Sequence, residues 1–133
     1  MVGKLCAHPA TATAVRVVRT PSLTQMGGTK PLPRDIPAIV VADPGKARGL
    51  AHVICSLPTM PHAIWQCPID VGGGYLLEFM SGRRQFQPVT IQASGCEGVI
   101  GGGAGGTRWV ARTPGFWTTL ARLTGIAAPA HSP

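Results

Sequence analysis

The sequence predicts an α+β domain in which an antiparallel sheet of three to five strands is covered on one face by two helices. Three observations lead to this fold class: two segments with helical apolar spacing, a hairpin-like pair of alternating segments between them, and a further strand-like segment after the hairpin. With short strands ahead of the first helix, the predicted element order is β-(α)-β-β-β-α. This order is typical of an antiparallel sheet that carries its helices on one side.

The first predicted helix begins at Asp43-Pro44, where a capping carboxylate precedes a proline at the first helical position. It is expected to end near Leu57, before Pro58. Its apolar residues have the i, i+3, i+4, i+7 spacing of one buried helix face. They are Ala47, Leu50, Ala51 and Ile54.

The second predicted helix repeats the cap-then-proline pattern at Thr113-Pro114 and ends at Gly125, a residue type suited to the end of a helix. Between these limits its apolar side chains form a second amphipathic face. They are Phe116, Trp117, Leu120, Ala121 and Leu123.

The hairpin is predicted over residues 74–93. Its first strand, residues 74–80, places Tyr75, Leu77 and Phe79 on one face by the period-2 rule. A turn follows at residues 81–84. The second strand then places Val89 and Ile91 on one face.

The remaining segments carry weaker signals. Short strands are predicted at residues 14–18 and 36–41, and a third strand of the sheet at residues 107–112, after a glycine-rich loop at 98–106. The predicted organisation is therefore a loosely ordered N-terminal segment over 1–35, a single α+β domain over 36–126 and a disordered tail over 127–133.

Cys67 and Cys96 lie fifteen positions before and fourteen positions after the predicted turn at Gly82. An antiparallel ladder brings both residues to the open end of the hairpin, where their Cα atoms can approach within the roughly 7 Å that a disulfide requires. We therefore predict a Cys67–Cys96 disulfide. The alternative is a pair of buried free thiols.

Four cysteines allow three full pairings. A Cys55–Cys67 disulfide is the second choice, and Cys6 is then free, a remnant of processing or intermolecular. No spacing in the sequence resembles a metal site, since there is no CxxC pair and no close cluster of histidine and cysteine.

The chain has a formal net charge of +7, 44% hydrophobic residues and only 5% aromatic residues. The basic residues are scattered and aromatic residues for base stacking are scarce, which disfavours nucleic-acid binding. No segment approaches the roughly 20 apolar residues of a membrane span. Residues 1–18 contain Lys4 but no continuous apolar run, so no signal peptide is predicted there.

Motifs for catalysis are weak, and we predict no enzyme activity, no metal and no cofactor. Gly101, Gly103 and Gly106 match a dinucleotide-binding pattern, but a strand-like segment follows them where that motif requires a helix. One candidate anion-binding set remains, with a solvated basic face as its alternative. It consists of Arg83, Arg84, Arg108 and Arg112.

Several motifs between Ile54 and Trp117 occur in a recognisable order. They are Cys55-Ser56-Leu57-Pro58-Thr59-Met60-Pro61, Cys67-Pro68-Ile69-Asp70, Tyr75-Leu76-Leu77-Glu78-Phe79, Ser94-Gly95-Cys96 and Phe116-Trp117. Together they resemble a family of small, exported, often lipid-anchored actinobacterial proteins. Members of that family begin with a signal peptide and a lipobox, from which Gly3-Lys4-Leu5-Cys6 departs.

A more distant resemblance is to subtilisin-inhibitor-type proteins, which also have a helix, a Cys-Pro pair, a strand pair with a basic glycine turn, and a closing cysteine. This resemblance implies a Cys67–Cys96 disulfide and a reactive loop at Pro68, Ile69 and Asp70. The other disulfide of that inhibitor family and its motif are absent here.

These observations lead to one functional expectation and one alternative. We expect a non-enzymatic, secreted or envelope-associated domain with a binding or structural role and an unknown protein partner; a cytoplasmic location is the alternative where the thiols are reduced. The competing function is inhibition of subtilisin-like proteases through the loop after Cys67.

Overall fold

The computed structural model describes residues 3–22, 38–60, 72–93, 96–103, 107–110, 113 and 115–126. Within these ranges the chain forms seven strands and two α-helices, preceded by short 3-10 turns at Leu5–Ala7 and Pro9–Thr11. The elements in chain order are β1 (Ala14–Ser22), β2 (Ile39–Val41), α1 (Pro44–Cys55), β3 (Gly72–Ser81), β4 (Arg84–Gln85), β5 (Val89–Gln92), β6 (Gly98–Ile100), β7 (Arg108–Trp109) and α2 (Phe116–Thr124).

The strands form one antiparallel sheet in the order β2-β1-β3-β5-β6-β7, and β4 pairs with the end of β3. The predicted α+β class, with an antiparallel sheet and two helices, is confirmed. The predicted number and order of strands are wrong. Among the described residues, five strands rather than three lie between the helices.

Helix α1 follows the sequence signals closely. The Asp43 carboxylate accepts hydrogen bonds from the backbone N–H groups of Gly45 and Lys46, at 2.8 and 3.3 Å. The predicted apolar stripe is the buried face of this helix. It consists of Ala47, Leu50, Ala51 and Ile54.

Helix α2 begins differently from the prediction. Its N-cap is Gly115, which adopts a left-handed backbone with φ of +82°, and not Thr113. The Thr113 carbonyl instead accepts a hydrogen bond from the N–H of Phe116, three positions along the chain. The predicted end at Gly125 is confirmed, with φ of +77°.

The core lies between the helices and one face of the sheet. The predicted faces of the hairpin are confirmed, because Tyr75, Leu77, Phe79, Val89 and Ile91 are all buried. From Leu76 onward the alternate residues of these strands are partly or fully exposed. This period-2 pattern identifies a sheet with one buried face and one face toward solvent.

The N-terminal residues take part in this fold. β1 lies between β2 and β3 and pairs with β3 along its length, from Ala14 opposite Met80 to Ser22 opposite Gly72. Leu5 and Ala12 are fully buried. Ordered packing therefore begins well before residue 36, where the sequence places the start of the domain.

Strand β6 falls inside the segment predicted to be a glycine-rich loop. A Cβ added to Gly98 would lie 2.9 Å from Cγ2 of Thr107 and 3.1 Å from Oε1 of Gln92. Neighbouring side chains therefore come too close to Gly98 to leave room for a Cβ. Such positions within a sheet favour glycine.

Candidate functional site

Of the residues predicted to form the disulfide and the reactive loop, the structure describes only Cys96. Cys67, Pro68, Ile69 and Asp70 lie outside the described residues. Cys96 is disulfide-bonded. The Cys67–Cys96 pairing and the role of the loop both stay predictions.

Cys6 and Cys55 form a disulfide, with their Cα atoms 5.4 Å apart. The Leu5–Ala7 turn brings Cys6 to the end of α1, where its backbone N–H donates to the Gly102 carbonyl at 2.7 Å. The alternative Cys55–Cys67 pairing is therefore wrong, as is the expectation that Cys6 is free, a remnant of processing or intermolecular. A sulfur in this disulfide is also not available to carry a lipid thioether.

The structure describes three of the four candidate anion-binding arginines, and Arg108 lies apart from Arg83 and Arg84. Arg83 and Arg84 are exposed at the turn after β3. Arg108 lies on β7, three strand spacings or about 14 Å across the sheet from β3, and its guanidinium donates to the Leu57 carbonyl at 2.9 Å. Arg112 lies outside the described residues.

Three acidic side chains have defined structural partners. Glu78 pairs with Arg16 and accepts a hydrogen bond from Gln85 at 3.0 Å. Glu97, with φ of +55°, accepts at 2.8 Å from the indole N–H of Trp117. Asp43 caps α1.

Trp117 accompanies its hydrogen bond to Glu97 with ring contacts in an aromatic cluster on the core side of the sheet. The cluster consists of Trp117, Tyr75 and Phe116. Its ring centroid lies 5.8 Å from that of Tyr75 and 5.3 Å from that of Phe116. Burial raises the pKa of the Tyr75 phenol, and the Arg19 guanidinium opposes this shift. The cluster is therefore a neutral packing unit at ordinary pH.

One edge of the sheet is covered by the segment that follows α1. The N–H of Trp109 donates to the Pro58 carbonyl at 2.8 Å, and the N–H of Met60 donates to the Thr107 carbonyl at 2.7 Å. Thr59 forms a bridge with Arg108 between these bonds. We call β7 with residues 58–60 the covered edge.

The opposite edge is β2, which we call the open edge. Ile39–Val41 pairs with β1, and among the described residues no strand pairs with its outer side. Val40 is 63% exposed and Ile39 is 37% exposed.

A groove of about 340 Å³ adjoins the open edge. It lies where β2, the first turn of α1 and the last turn of α2 meet. Lys46 and Arg122 supply cations to it, Asp43 supplies one carboxylate, and Val40, Val41 and Leu123 supply apolar surface. The groove therefore combines apolar and charged surface beside the open edge.

Sequence reasoning missed this site although part of its signal was present. The apolar run at 36–41 was predicted as a strand, and the structure confirms β2 within it. Its place at the edge depends on the order of strands, which the sequence does not supply. Lys46 and Arg122 are single cations in separate helices, 76 positions apart, so no local motif joins them.

No group of three histidine, cysteine or acidic side chains that could hold a metal occurs among the described residues. Nor is any helix in the described ranges both long and apolar enough to cross a membrane. No family model, curated protein or solved structure matches the chain.

Proposed function

We propose that this protein is a non-enzymatic binding domain that works outside the cytoplasm, secreted or associated with the cell envelope. The observation that carries the proposal is the Cys6–Cys55 disulfide. Disulfides form and persist in oxidising compartments and are rare in the cytosol of most cells.

The disulfide supports a structural role in such a compartment because it joins two segments that are distant in sequence. It links an N-terminal turn to the end of α1 across 49 positions of sequence. Leu5, beside the disulfide, is fully buried, so the linked segment is part of the core. A redox-active cysteine pair would instead be expected at short spacing, as in a CxxC motif.

The three acidic side chains within the described ranges support a role without catalysis. Glu78, Glu97 and Asp43 each hold a structural partner. A general acid or base requires a carboxyl group free to reach a substrate. Instead of a catalytic site, the open edge and its groove supply a surface to which a partner can bind.

The compartment can be tested in the native host with an epitope-tagged chain. Intact cells are quenched with acid, and their thiols are alkylated in one sample before reduction and in another after it. The Cys6 and Cys55 peptides are then measured by mass spectrometry. We expect both to be alkylated only after reduction, and the tag to be digested by protease added to intact cells or spheroplasts. Free thiols on Cys6 and Cys55 with a protected tag would contradict the proposal.

The binding role needs a separate test, with the same cells treated with a membrane-impermeant lysine cross-linker. We expect a discrete covalent adduct with one envelope or extracellular protein. The matched control is the same chain with Cys6→Ala and Cys55→Ala, in which the adduct should weaken as the fold loosens. A chain that stays uncross-linked at every cross-linker concentration would contradict a binding role.

Inhibition of a subtilisin-like protease is the second candidate. It is supported by the resemblance described above together with the antiparallel hairpin that follows α1. Its test is a titration of subtilisin with the intact chain and with Ile69→Gly as the matched variant. Stoichiometric inhibition that is lost in the variant is expected; full protease activity in excess protein would eliminate this candidate.

A further inference from the structure

We infer that the open edge and its groove bind an extended, acidic segment of a partner protein as an added β-strand. This inference rests on the proposed function as a binding domain and specifies the chemistry of its partner.

The backbone of β2 provides the first part of the recognition. An edge strand presents unpaired N–H and C=O groups to solvent, and an extended peptide satisfies them by pairing as a further strand. β2 is hydrogen-bonded to β1 on one side. At the other end of the sheet the same requirement is met within the chain, by residues 58–60 against β7.

The side chains of β2 favour a segment with apolar residues. Val41 is buried, whereas Val40 and Ile39 leave apolar surface exposed at the edge. Val40 lies opposite Arg16, on the solvent face, and Ile39 lies opposite Val17, on the core face. A strand added beside them would place its alternating side chains next to both.

The charge of the groove favours acidic residues in the same segment. Neither Lys46 nor Arg122 has an ion-pair partner within the described part of the chain. The Asp43 carboxylate is held by two backbone N–H groups of α1, which oppose its negative charge. The two cations therefore leave the groove positive, in a chain whose net charge is +7.

These features select a peptide rather than a nucleic acid. None of the described residues that line the groove has an aromatic side chain on which a base could stack. Its walls are the edge of a sheet and two helix ends, which is the geometry of strand addition.

The probe is a blocked hexapeptide that alternates valine and glutamate, labelled with a fluorophore and titrated with the intact, oxidised chain. The matched probe alternates valine and lysine. We expect the acidic peptide to bind at least about tenfold more tightly, with an affinity that falls as salt is raised. Amide signals of Ile39, Val40 and Val41 should shift on binding, and those of Arg108 and Trp109 should not.

Three variants identify the site. Reversal of both groove charges, with Lys46→Glu and Arg122→Glu, should weaken the acidic peptide by about tenfold or more. The matched control, Arg83→Glu with Arg84→Glu, makes the same change in net charge at an exposed turn and should have less than about a threefold effect. Val40→Pro removes a backbone donor from β2 and should abolish binding, provided that circular dichroism shows a folded chain.

Equal binding of the two peptides, or equal effects of the groove and control reversals, would overturn the inference. Self-association that Val40→Pro abolishes, without peptide binding, would assign the edge to a second copy and would also overturn it. Neither result alters the thiol and cross-linking tests of the proposed function, so failure of the inference and failure of the proposal are distinguishable.

Discussion

The two edges of the sheet differ in how far their backbone groups are covered by the rest of the described chain. At the covered edge, β7 is hydrogen-bonded to residues 58–60, and the nearby β6–β7 loop receives a hydrogen bond from Cys6. At the open edge, β2 is three residues long and exposes Val40 and Ile39. An unprotected strand edge invites pairing with another chain, so proteins normally block it. Among the described residues one edge is blocked and the other is exposed, and this difference supports the proposal that a partner binds at the open edge.

The side of the molecule near the covered edge is also the side that the disulfide stabilises. The N-terminal segment lies there, with Cys6 bonded to Cys55 and the Gly3 carbonyl accepting from the N–H of Gln87 at 2.9 Å. The groove side relies on helix caps and side-chain packing. Four predictions, each with its own substitutions, test this difference in stability.

Removal of the disulfide should have the largest effect. Cys6→Ala with Cys55→Ala is expected to lower the free energy of unfolding by roughly 4 kcal/mol, because the crosslink restricts a loop of 49 positions in the unfolded chain. Urea unfolding under non-reducing conditions, followed by tryptophan fluorescence, measures the change. The exposed neighbours Lys4→Ala and His52→Ala are the controls. A loss below about 1 kcal/mol would show that the disulfide does not stabilise this side.

Two glycines with positive φ offer a matched comparison between the sides. Gly101 has φ of +96°, and an added Cβ would lie 2.4 Å from the Pro88 carbonyl oxygen. Gly125 has φ of +77° with nothing within 4 Å of an added Cβ. Gly101→Ala should therefore cost about 3 kcal/mol or more, whereas Gly125→Ala should cost about 1 kcal/mol. Equal losses in thermal unfolding would contradict the tight packing inferred at Gly101.

The helix cap beside the groove should have a smaller effect on stability and a separate effect on binding. Asp43→Ala removes the cap of α1 and should lower stability by about 1 kcal/mol. It also removes a carboxylate from the groove, so the affinity for the acidic peptide should rise. Asp43→Asn retains the cap and should change the affinity alone. Loss of peptide binding in Asp43→Asn would contradict the electrostatic account.

The ion pair on the solvent face should contribute least. Arg16 and Glu78 join β1 to β3, with side chains 52% and 23% exposed. A double-mutant cycle with Arg16→Ala and Glu78→Ala should give a coupling below about 1 kcal/mol. A larger coupling would indicate that this face, rather than the disulfide side, holds the sheet together.

The local elements of the fold could be predicted from the sequence because their signals are local. Asp43-Pro44 and the stripe from Ala47 to Ile54 specify α1 through backbone hydrogen bonds and helical spacing alone. Alternation over residues 75–79 and 89–91 likewise specifies the buried face of the hairpin. In each case the partner groups lie within a few positions of one another.

The features that sequence reasoning missed depend on long-range placement. The Cys6–Cys55 disulfide requires the N-terminal turn to meet the end of α1, and no spacing rule predicts that meeting. β6 is short and begins at Gly98, so its composition resembles a loop. The open edge exists because β1 lies between β2 and β3, a sheet order that the sequence pattern leaves undetermined.

Amide hydrogen exchange of the oxidised chain tests the difference between the two edges most directly. We predict that the N–H groups of Trp109 and Met60 are protected, whereas outward-facing N–H groups within Ile39–Val41 exchange rapidly and become protected when the acidic peptide is added. Protection of all three β2 amides equal to that of Trp109 in the absence of peptide would show that the edge is already covered, and would contradict the account.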